Sequence, residues 1–591
     1  MTDTVIGVFE RTVRERGAAP ALKTKESGAW RAISYDDYHR DVMRAARGFM
    51  KLGLEPGRAV SIIGFNCPQW LISDLAAIAA GGVPAGIYTT SSPELCAYVA
   101  GHCDAQIVVV ENAEQLAKFK RVRDELPELK AIVMMYGSDD DTDVLSWDEL
   151  LELGDDEALE APLRERIANQ KPEDCATLIY TSGTTGRPKA VMLSHANLMW
   201  TAHSVSDIVK VQPGDDQISY LPLSHIAEQM FSIHGPITYG VTVWFAESLD
   251  ELGANLLDVR PHTFFAVPRV WEKIQHKMQA AAADASPLQR RIAAWARGVG
   301  LKAAEAEEQG RGKPLLYPLA KALVFDKVKK RLGLERSRFR GTGAAPISRE
   351  TLDFFASLDL MLYEVWGQSE STGAGTVNRP GTVRRGSIGQ PYPETEIRIA
   401  EDGEILMRGP EVFMGYLKNE EATRDTLDAD GWLYSGDVGK IDDDGFVYIV
   451  DRKKELIITA GGENISPAHI EGELKSIAVV SQVCVVGDRR KFLSALITLD
   501  EEAVPEAAQA AGSPARTPDE AARCDKFNAW FERQIEAVNE RLARVQTIKR
   551  WHLLPEDFSI DGGELTPTMK LKRRVVHDKY ADEIETLYAD V

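Results

Sequence analysis

Twelve consecutive residues carry most of the chemistry that this sequence announces. Residues 178–189 read Leu178-Ile179-Tyr180-Thr181-Ser182-Gly183-Thr184-Thr185-Gly186-Arg187-Pro188-Lys189. An apolar strand end runs into small hydroxylated residues and glycines and closes on a lysine. Glycines let a backbone approach a ligand with its N–H groups turned inward. The Thr and Ser hydroxyls add donors, and Lys189 adds a point charge. Together they suit a polyphosphate. The loop is not a Walker A sequence, which needs GxxxxGK followed by Ser or Thr. Here Pro188 precedes the lysine and Ala190 follows it.

Four further segments hold reactive or polar groups. His225 follows the apolar run Tyr220-Leu221-Pro222-Leu223, where a lone histidine is either structural or lines a pocket. Gly341-Thr342-Gly343-Ala344-Ala345-Pro346 begins like the dinucleotide fingerprint and fails it at Pro346. Gly367-Gln368-Ser369-Glu370-Ser371 approaches the nucleophile elbow GxSxG but ends on serine, which argues against a serine hydrolase. Ser435-Gly436-Asp437 is either turn chemistry or a carboxylate placed to accept from neighbouring hydroxyls.

Residues 180–189 resemble the signature of the AMP-forming adenylate ligases, which include acyl-CoA synthetases, luciferases and peptide-synthetase adenylation domains. The resemblance extends over essentially the whole chain. It implies that Thr181, Ser182, Gly183, Thr184, Thr185, Gly186 and Lys189 cradle the phosphates of ATP, with Thr181 also at the metal and the reaction. It implies that His225 lines the acyl and phosphate pocket, and that Gly343, Ala344 and Ala345 let the adenine lie against the backbone. In Glu364-Val365-Trp366-Gly367-Gln368-Ser369-Glu370, Trp366 would stack on adenine, Ser369 would contact phosphate and Glu370 would help hold Mg²⁺. The sequence departs from the family pattern at Trp366 and Ser369, which stand for Tyr and Thr. Both keep an aromatic face or a hydroxyl.

The same resemblance gives Asp437 to the ribose, Arg452 to ribose or phosphate, and Lys454 to a hinge. Gly461 and Gly462 fall where the family passes the pantetheine arm of CoA, and Lys570 is the mobile catalytic lysine, with Lys572 as its competitor. Pro567-Thr568-Met569-Lys570-Leu571-Lys572-Arg573, residues 87–94 and residues 267–274 are similar to the long-chain, bubblegum-type subgroup. The implied activity is a long-chain fatty acid–CoA ligase using ATP, Mg²⁺ and CoA. The alternatives are a fatty acyl-AMP ligase that loads a carrier protein, or a catalytically silent lipid-binding relative.

The elements that must position these residues alternate. An amphipathic helix is expected over 36–54, strands over 58–64, 83–88 and 106–111, and a buried helix over 70–80. Strand, helix and strand at this spacing predict parallel βαβ units and an α/β fold. A second round spans 217–266 and a third 338–366. Residues 386–450, rich in Gly and Asp turns, predict a small β-rich subdomain. The expected division is an AMP-binding domain over 1–453 and a mobile α+β domain over 454–591, joined through the charged run 451–455. The Ala- and Pro-rich stretch 503–523 reads as an exposed insertion.

Composition bounds the rest. The 591 residues carry 69 basic and 90 acidic side chains, a net charge of −21. A chain this acidic lacks the phosphate-neutralising charge of a general nucleic-acid binder. Six scattered cysteines form no CxxC pair, which suits a reducing, cytoplasmic setting without disulfides. The first residues mix acids and bases and lack the apolar core of a secretory signal. The apolar stretch 70–88 is interrupted by Asp74, Gly81, Gly82 and Pro84, so no spanning helix is expected. Residues 311–340 break the balance, with ten Lys or Arg against Asp326 and Glu335. That is a solvated helix face or a basic patch facing a membrane or CoA, so peripheral membrane contact stays open. No obligate protein partner is implied.

Overall fold

The computed structural model describes residues 3–589 apart from 182–186, 284, 461–462, 561 and 567–569. It is an α/β fold with a large N-terminal and a smaller C-terminal domain.

The largest sheet has eight strands. In spatial order they are Gly415–Tyr416, Lys189–Ser194, Cys175–Thr181, Val83–Ile87, Ala59–Ile63, Ala105–Val110, Ala131–Met134 and Val144–Ser146. Its centre is parallel and built of βαβ units, as the sequence pattern predicts. The strands Ala59–Ile63 and Val83–Ile87 are buried at every position, which explains their unbroken apolar runs. Helices cover the sheet. Tyr35–Lys51 begins where the Ser34 hydroxyl accepts the Asp37 N–H at 3.1 Å, carries Asp36 and Asp37 in its first turn, and buries Tyr38, Val42, Ala45 and Phe49. It packs on Pro68–Ala79, the apolar helix that ends at Gly81 with φ of 78°. One buried acid, Asp74, sits inside that helix.

The other rounds form separate sheets. Thr263–Ala266, Phe339–Thr342 and Tyr363–Trp366 pair in parallel, and two short antiparallel strands extend them. Asp216–Ser219 and Thr242–Phe245 instead join Pro20–Glu26 and Ala29–Ser34 from the N-terminal region. The β-rich stretch is an antiparallel sheet of Glu396–Ile399, Glu404–Arg408, Leu433–Ile441 and Val447–Arg452.

Beyond it, Val480–Val486, Leu493–Leu499 and Ile548–Leu553 form a three-stranded sheet with Pro467–Leu474 and Asp525–Asn539 packed against it. Residues 503–523 differ from the sequence expectation. They form the helices Val504–Ala511 and Pro518–Ala522, and Val504, Ala508, Ala515 and Ala521 are buried with Phe527 and Phe531. Alanine hides small apolar contacts inside a stretch that looks like a linker. The charged run 451–455 also differs, because Asp451 and Arg452 complete the strand Val447–Arg452 and only Lys453–Glu455 turn out of it.

Candidate active site

Ligands bind α/β sheets at the carboxyl ends of strands. Three such ends meet here. The first is the phosphate loop. Cys175–Thr181 and Lys189–Ser194 pair antiparallel, with Thr181 opposite Lys189. The Tyr98 hydroxyl donates to the Pro188 carbonyl at 2.9 Å, and the Arg187 guanidinium lies 5.1 Å from the Tyr98 ring centroid, so the loop is anchored at its exit. Ser182, Gly183, Thr184, Thr185 and Gly186 lie outside the described residues.

The second end follows Phe339–Thr342. A side chain at Gly343 would meet the Val365 carbonyl at 2.7 Å, so the strand passes close to its neighbour only because this residue is glycine. Ala344 then takes φ of 67°, a left-handed conformation that L-residues avoid, and it and Ala345 are exposed at the mouth of the strand. A strained backbone held in this way is a usual mark of a ligand-binding loop.

The third end follows Tyr363–Trp366. Gly367 is again obligatory, because a Cβ there would lie 2.3 Å from the Gly373 carbonyl. The turn Ser369–Ser371 comes next, with Ser369 buried and Glu370 partly exposed. Glu364 is buried and accepts the Gly386 N–H at 2.7 Å, and burial pushes its carboxyl up to about 8.

Side chains from distant segments close the site. Asp437 is buried and accepts on both oxygens. The Trp366 indole N–H reaches Oδ2 at 2.8 Å, and the Arg452 guanidinium lies 2.8 Å from Oδ1. Burial raises this carboxyl's pKa, against the pull of Arg452 and the Trp366 N–H. Each oxygen still has a lone pair for a further donor such as a ribose hydroxyl. The Tyr416 hydroxyl donates to Glu370 Oε1 at 2.7 Å, and the Lys189 ammonium sits over the Tyr416 ring at 4.6 Å. Tyr416 thus braces both the acid and the lysine.

Lys570 projects from a short hairpin. Lys572 N–H donates to the Glu564 carbonyl, Leu565 pairs with Leu571, and Thr566 N–H donates to the Lys570 carbonyl at 2.8 Å. Lys570 is exposed by surface area, yet the crowding of protein around it and the nearby Arg452 lower its pKa, while Asp437, Glu370 and Glu455 oppose the shift. Lys572 caps the helix Arg573–Lys579. Of the two lysines, Lys570 is the one whose charge acts on His225. His225 belongs to the same neighbourhood, since burial and then the Lys570 charge hold its pKa down at about 4. Its Nδ1 accepts the Ala227 N–H at 3.2 Å, which leaves the proton on Nε2 as a donor.

The loop that carries His225 hangs on a group the sequence did not single out. Glu228 is buried and accepts from Ser219 at 2.7 Å, from Ser232 at 2.6 Å, from Asn66 at 3.2 Å and from the Tyr220 N–H at 3.1 Å. Burial pushes it up to about 7. Tyr416 was also missed. Neither residue lies in a distinctive local motif, and their partners become neighbours only through strand pairing and the helix that follows His225.

Lys454 is exposed in the turn beyond Arg452. Gly461 and Gly462 lie outside the described residues, as do Pro567, Thr568 and Met569. The flanking strands Ile457–Ile458 and Asn464–Ile465 pair antiparallel. The C-terminal domain meets the helix Pro268–Ala283 through Arg269, whose guanidinium lies 3.3 Å from the Ser481 hydroxyl and 3.5 Å from Asp500. Among the described residues no group of three or more His, Cys, Asp or Glu is gathered to hold a metal by itself. Glu370 and the Thr181 hydroxyl are hard oxygen donors, which fits an Mg²⁺ that arrives on nucleotide phosphates and keeps its waters. All six cysteines are free thiols.

With this geometry in place, comparison with known proteins is specific. Residues 9–417 match the family model of the AMP-binding enzyme, and residues 454–591 match that of the AMP-binding enzyme C-terminal domain. The chain is 44% identical over 620 residues to the long-chain-fatty-acid–CoA ligase ACSBG2 of Xenopus laevis, covering 99% of this chain and 84% of that protein. It is 45% identical over 623 residues to ACSBG2 of Gallus gallus, covering 99% and 81%. It is 39% identical over 620 residues to ACSBG1 of Homo sapiens, covering 99% and 85%. Among solved structures, an anthranilate CoA ligase in complex with anthranoyl-AMP superposes with a TM-score of 0.74 at 19% identity, covering 98% of this chain and 97% of that one. The adenylation domain of a Mycobacterium chelonae carboxylate reductase gives a TM-score of 0.76 at 20% identity, covering 100% and 91%.

Proposed function

Because the chain belongs to the AMP-binding enzyme family, we propose that its cleft runs the two half-reactions of a long-chain fatty acid–CoA ligase. The observation that carries this reading is the cluster in which Asp437 meets Trp366 and Arg452 while Tyr416 meets Glu370 and Lys189, with Lys570 near enough for its charge to act on His225 and for Asp437, Glu370 and Arg452 to act on it. Those groups come from segments far apart in the chain, and together they match a nucleotide and an anionic acyl group.

A carboxylate is a poor acyl donor because oxide is its leaving group. In the first half-reaction a fatty acid oxygen attacks the α-phosphorus of ATP. The bond to the β-phosphate oxygen breaks, and pyrophosphate leaves as acyl-AMP forms. Negative charge grows on the phosphoryl oxygens, and fixed cations in a site with little water stabilise it. Lys570 and Lys189 supply that charge, and the residues at 181–186 supply hydroxyl and backbone donors. His225, neutral and with its proton on Nε2, donates to an anionic oxygen without adding a charge. Asp437 and Arg452 hold the ribose, and Trp366, Ala344 and Ala345 bound the adenine. Glu370 and Thr181 would hold Mg²⁺ where it shields the phosphates from one another. In the second half-reaction the CoA sulfur attacks the acyl carbon, the carbon–oxygen bond to AMP breaks, and the thiol proton goes to solvent.

Lys570 serves the first half-reaction and the CoA thiol the second, so in this reading the C-terminal domain turns about Lys454 between the steps. Among the described residues no helix is long and apolar enough to cross a membrane. The substrate itself resides in lipid, and we include peripheral contact with a bilayer in this reading.

Pyrophosphate exchange into ATP tests the first half-reaction alone. Exchange should depend on a long-chain fatty acid and fall on the order of 100- to 1,000-fold in Lys570→Ala. Exchange that survives in Lys570→Ala and is lost in Lys572→Ala would move the role to the neighbouring lysine.

A further inference from the structure

Two touching helical segments carry apolar side chains that nothing in the molecule covers. Pro287–Glu308 packs on the helical run from Tyr317 to Arg331 through Ala296, Val299, Ala320 and Phe325. Outside that seam Leu315 is 94% exposed, Leu316 50%, Leu319 51% and Leu323 43%. Leu315 and Leu316 lie in the turn that leads into this run, and Leu319 and Leu323 follow within its first two turns. On the other helix Leu288, 68% exposed, and Ile292 precede Ala296 at four-residue intervals. They continue the face that meets Ala320 and Phe325, beyond the part that is covered. Single exposed leucines are ordinary, but four within nine residues, with Leu288 and Ile292 on the helix packed against them, are a concentration of exposed apolar surface.

The charge around the patch is unlike the rest of the molecule. Of the ten cations in 311–340, several serve the fold. Lys329 pairs with Asp359, Lys321 with Asp326, Arg336 with Asp216 and Arg338 with Asp215, while Arg340 bonds backbone carbonyls. Arg311, Lys327, Lys330 and Arg331 are exposed and form no ion pair among the described residues, and the same holds for Arg290 and Arg291 near Leu288 and Ile292. Of the nearby acids, Asp326 is paired with Lys321 and Glu308 with Arg385, Glu307 accepts the Gly381 N–H, and Glu305 is exposed. Unpaired cations therefore outnumber unpaired acids along these two segments, in a protein of net charge −21.

We propose that Leu288, Ile292 and the run 315–331 dock the protein on an anionic lipid bilayer, with the leucines at the acyl boundary and the cations at the headgroups. An interfacial helix combines an apolar face with Lys and Arg flanks in this way. An acidic protein partner would satisfy the cations but would not require leucines as exposed as Leu315. The use of such docking, capture of a fatty acid from lipid, rests on the ligase reading. The docking itself does not.

Co-sedimentation of the full chain with phosphatidylcholine vesicles, with and without phosphatidylglycerol, tests it. The wild type should partition more strongly onto the anionic vesicles, and high salt should weaken this. Leu315→Ser/Leu316→Ser/Leu319→Ser should lose at least about tenfold in binding to anionic vesicles. Lys327→Glu/Lys330→Glu/Arg331→Glu should lose on the order of 100-fold, at roughly fivefold or more per cation. Both triple variants should keep wild-type acyl-CoA formation from albumin-presented fatty acid and lose rate on vesicle-borne fatty acid. Vesicle binding that neither variant changes overturns the docking. So does a wild type that ignores vesicles while the leucine variant converts an oligomer to a monomer, which makes the patch an interface between copies. Normal vesicle binding in a protein that makes no acyl-CoA overturns the ligase reading and leaves the docking intact.

Discussion

The Tyr416 hydroxyl holds one oxygen of Glu370 while its ring faces the Lys189 ammonium. A hydrogen bond to a charged group contributes about 1.5–3 kcal/mol. Tyr416→Phe keeps the ring beneath Lys189 and frees Glu370 to rotate. It should lower kcat/KM for adenylate formation roughly 10- to 100-fold, with little change in thermal unfolding. A drop confined to stability would show that Tyr416 only packs. Buried titratable groups set the pH range of the fold. Burial holds Asp74 and Glu364 at about 8 and Glu228 at about 7, above the ordinary carboxylate range. The folded chain keeps these protons where the unfolded chain has released them. Their contribution to stability therefore falls as pH rises from the ordinary carboxylate values to about 8, then levels off. His225 and His195 at about 4 and His234 at about 3 act on the other side. The unfolded chain charges them first, so between the carboxylate range and about 6.5 their slope opposes that of the three acids, and the uncompensated fall in stability lies between about 6.5 and 8. Urea midpoints should decline across that window, and Asp74→Asn should flatten the decline. An unchanged slope would mean that Asp74 is ionised inside the fold. At this scale the family was legible where its signature sits in one contiguous string, as in residues 180–189, within the stretch that matches the AMP-binding enzyme model. The sequence was silent where partners lie 46 residues apart, as for Tyr416 and Glu370, or 71 apart, as for Trp366 and Asp437.

Elements were readable where one pattern dominates. The fully apolar strands Ala59–Ile63 and Val83–Ile87 and the amphipathic Tyr35–Lys51 follow their periodicity closely. The stretch 503–523 did not, because its buried contacts are alanine methyls and the apolar surface they meet lies on Asp525–Asn539. Sheet membership was also hidden. That Thr242–Phe245 pairs with Pro20–Glu26 is decided by tertiary packing across more than two hundred residues. Two variants probe how the domains meet. Arg269 ties the helix Pro268–Ala283 to Ser481 and Asp500 in the arrangement that brings Lys570 to the cleft. Arg269→Ala should slow adenylate formation several-fold and leave transfer from supplied acyl-AMP to CoA nearly unchanged. Equal losses in both steps would mean that Arg269 serves the fold and not the orientation. Lys454→Pro fixes φ at the proposed hinge. It should spare pyrophosphate exchange and abolish thioester formation, and normal thioester formation would remove the hinge from that position.

Taken as a whole molecule, the protein separates its charges. The net charge of −21 is spread over the surface, while cations collect in the cleft at Lys189, Arg452 and Lys570 and again around the exposed leucines at 315–323. In the proposed reading the first cluster serves a polyphosphate and the second a lipid surface, and neither requires a basic protein. The same reading gives the two domains their use, because one lysine and one thiol must reach the same acyl group in turn. The most direct test is a product count from ATP, Mg²⁺ and palmitate, with and without CoA. The account predicts one acyl-CoA, one AMP and one pyrophosphate per fatty acid consumed when CoA is present, and little turnover beyond bound acyl-AMP when it is absent. Lys570→Ala should fail at the first step yet convert supplied acyl-AMP and CoA to thioester. Acyl-AMP that accumulates with CoA present and never becomes thioester would contradict the account and point to an adenylating enzyme that hands its acyl group to a carrier.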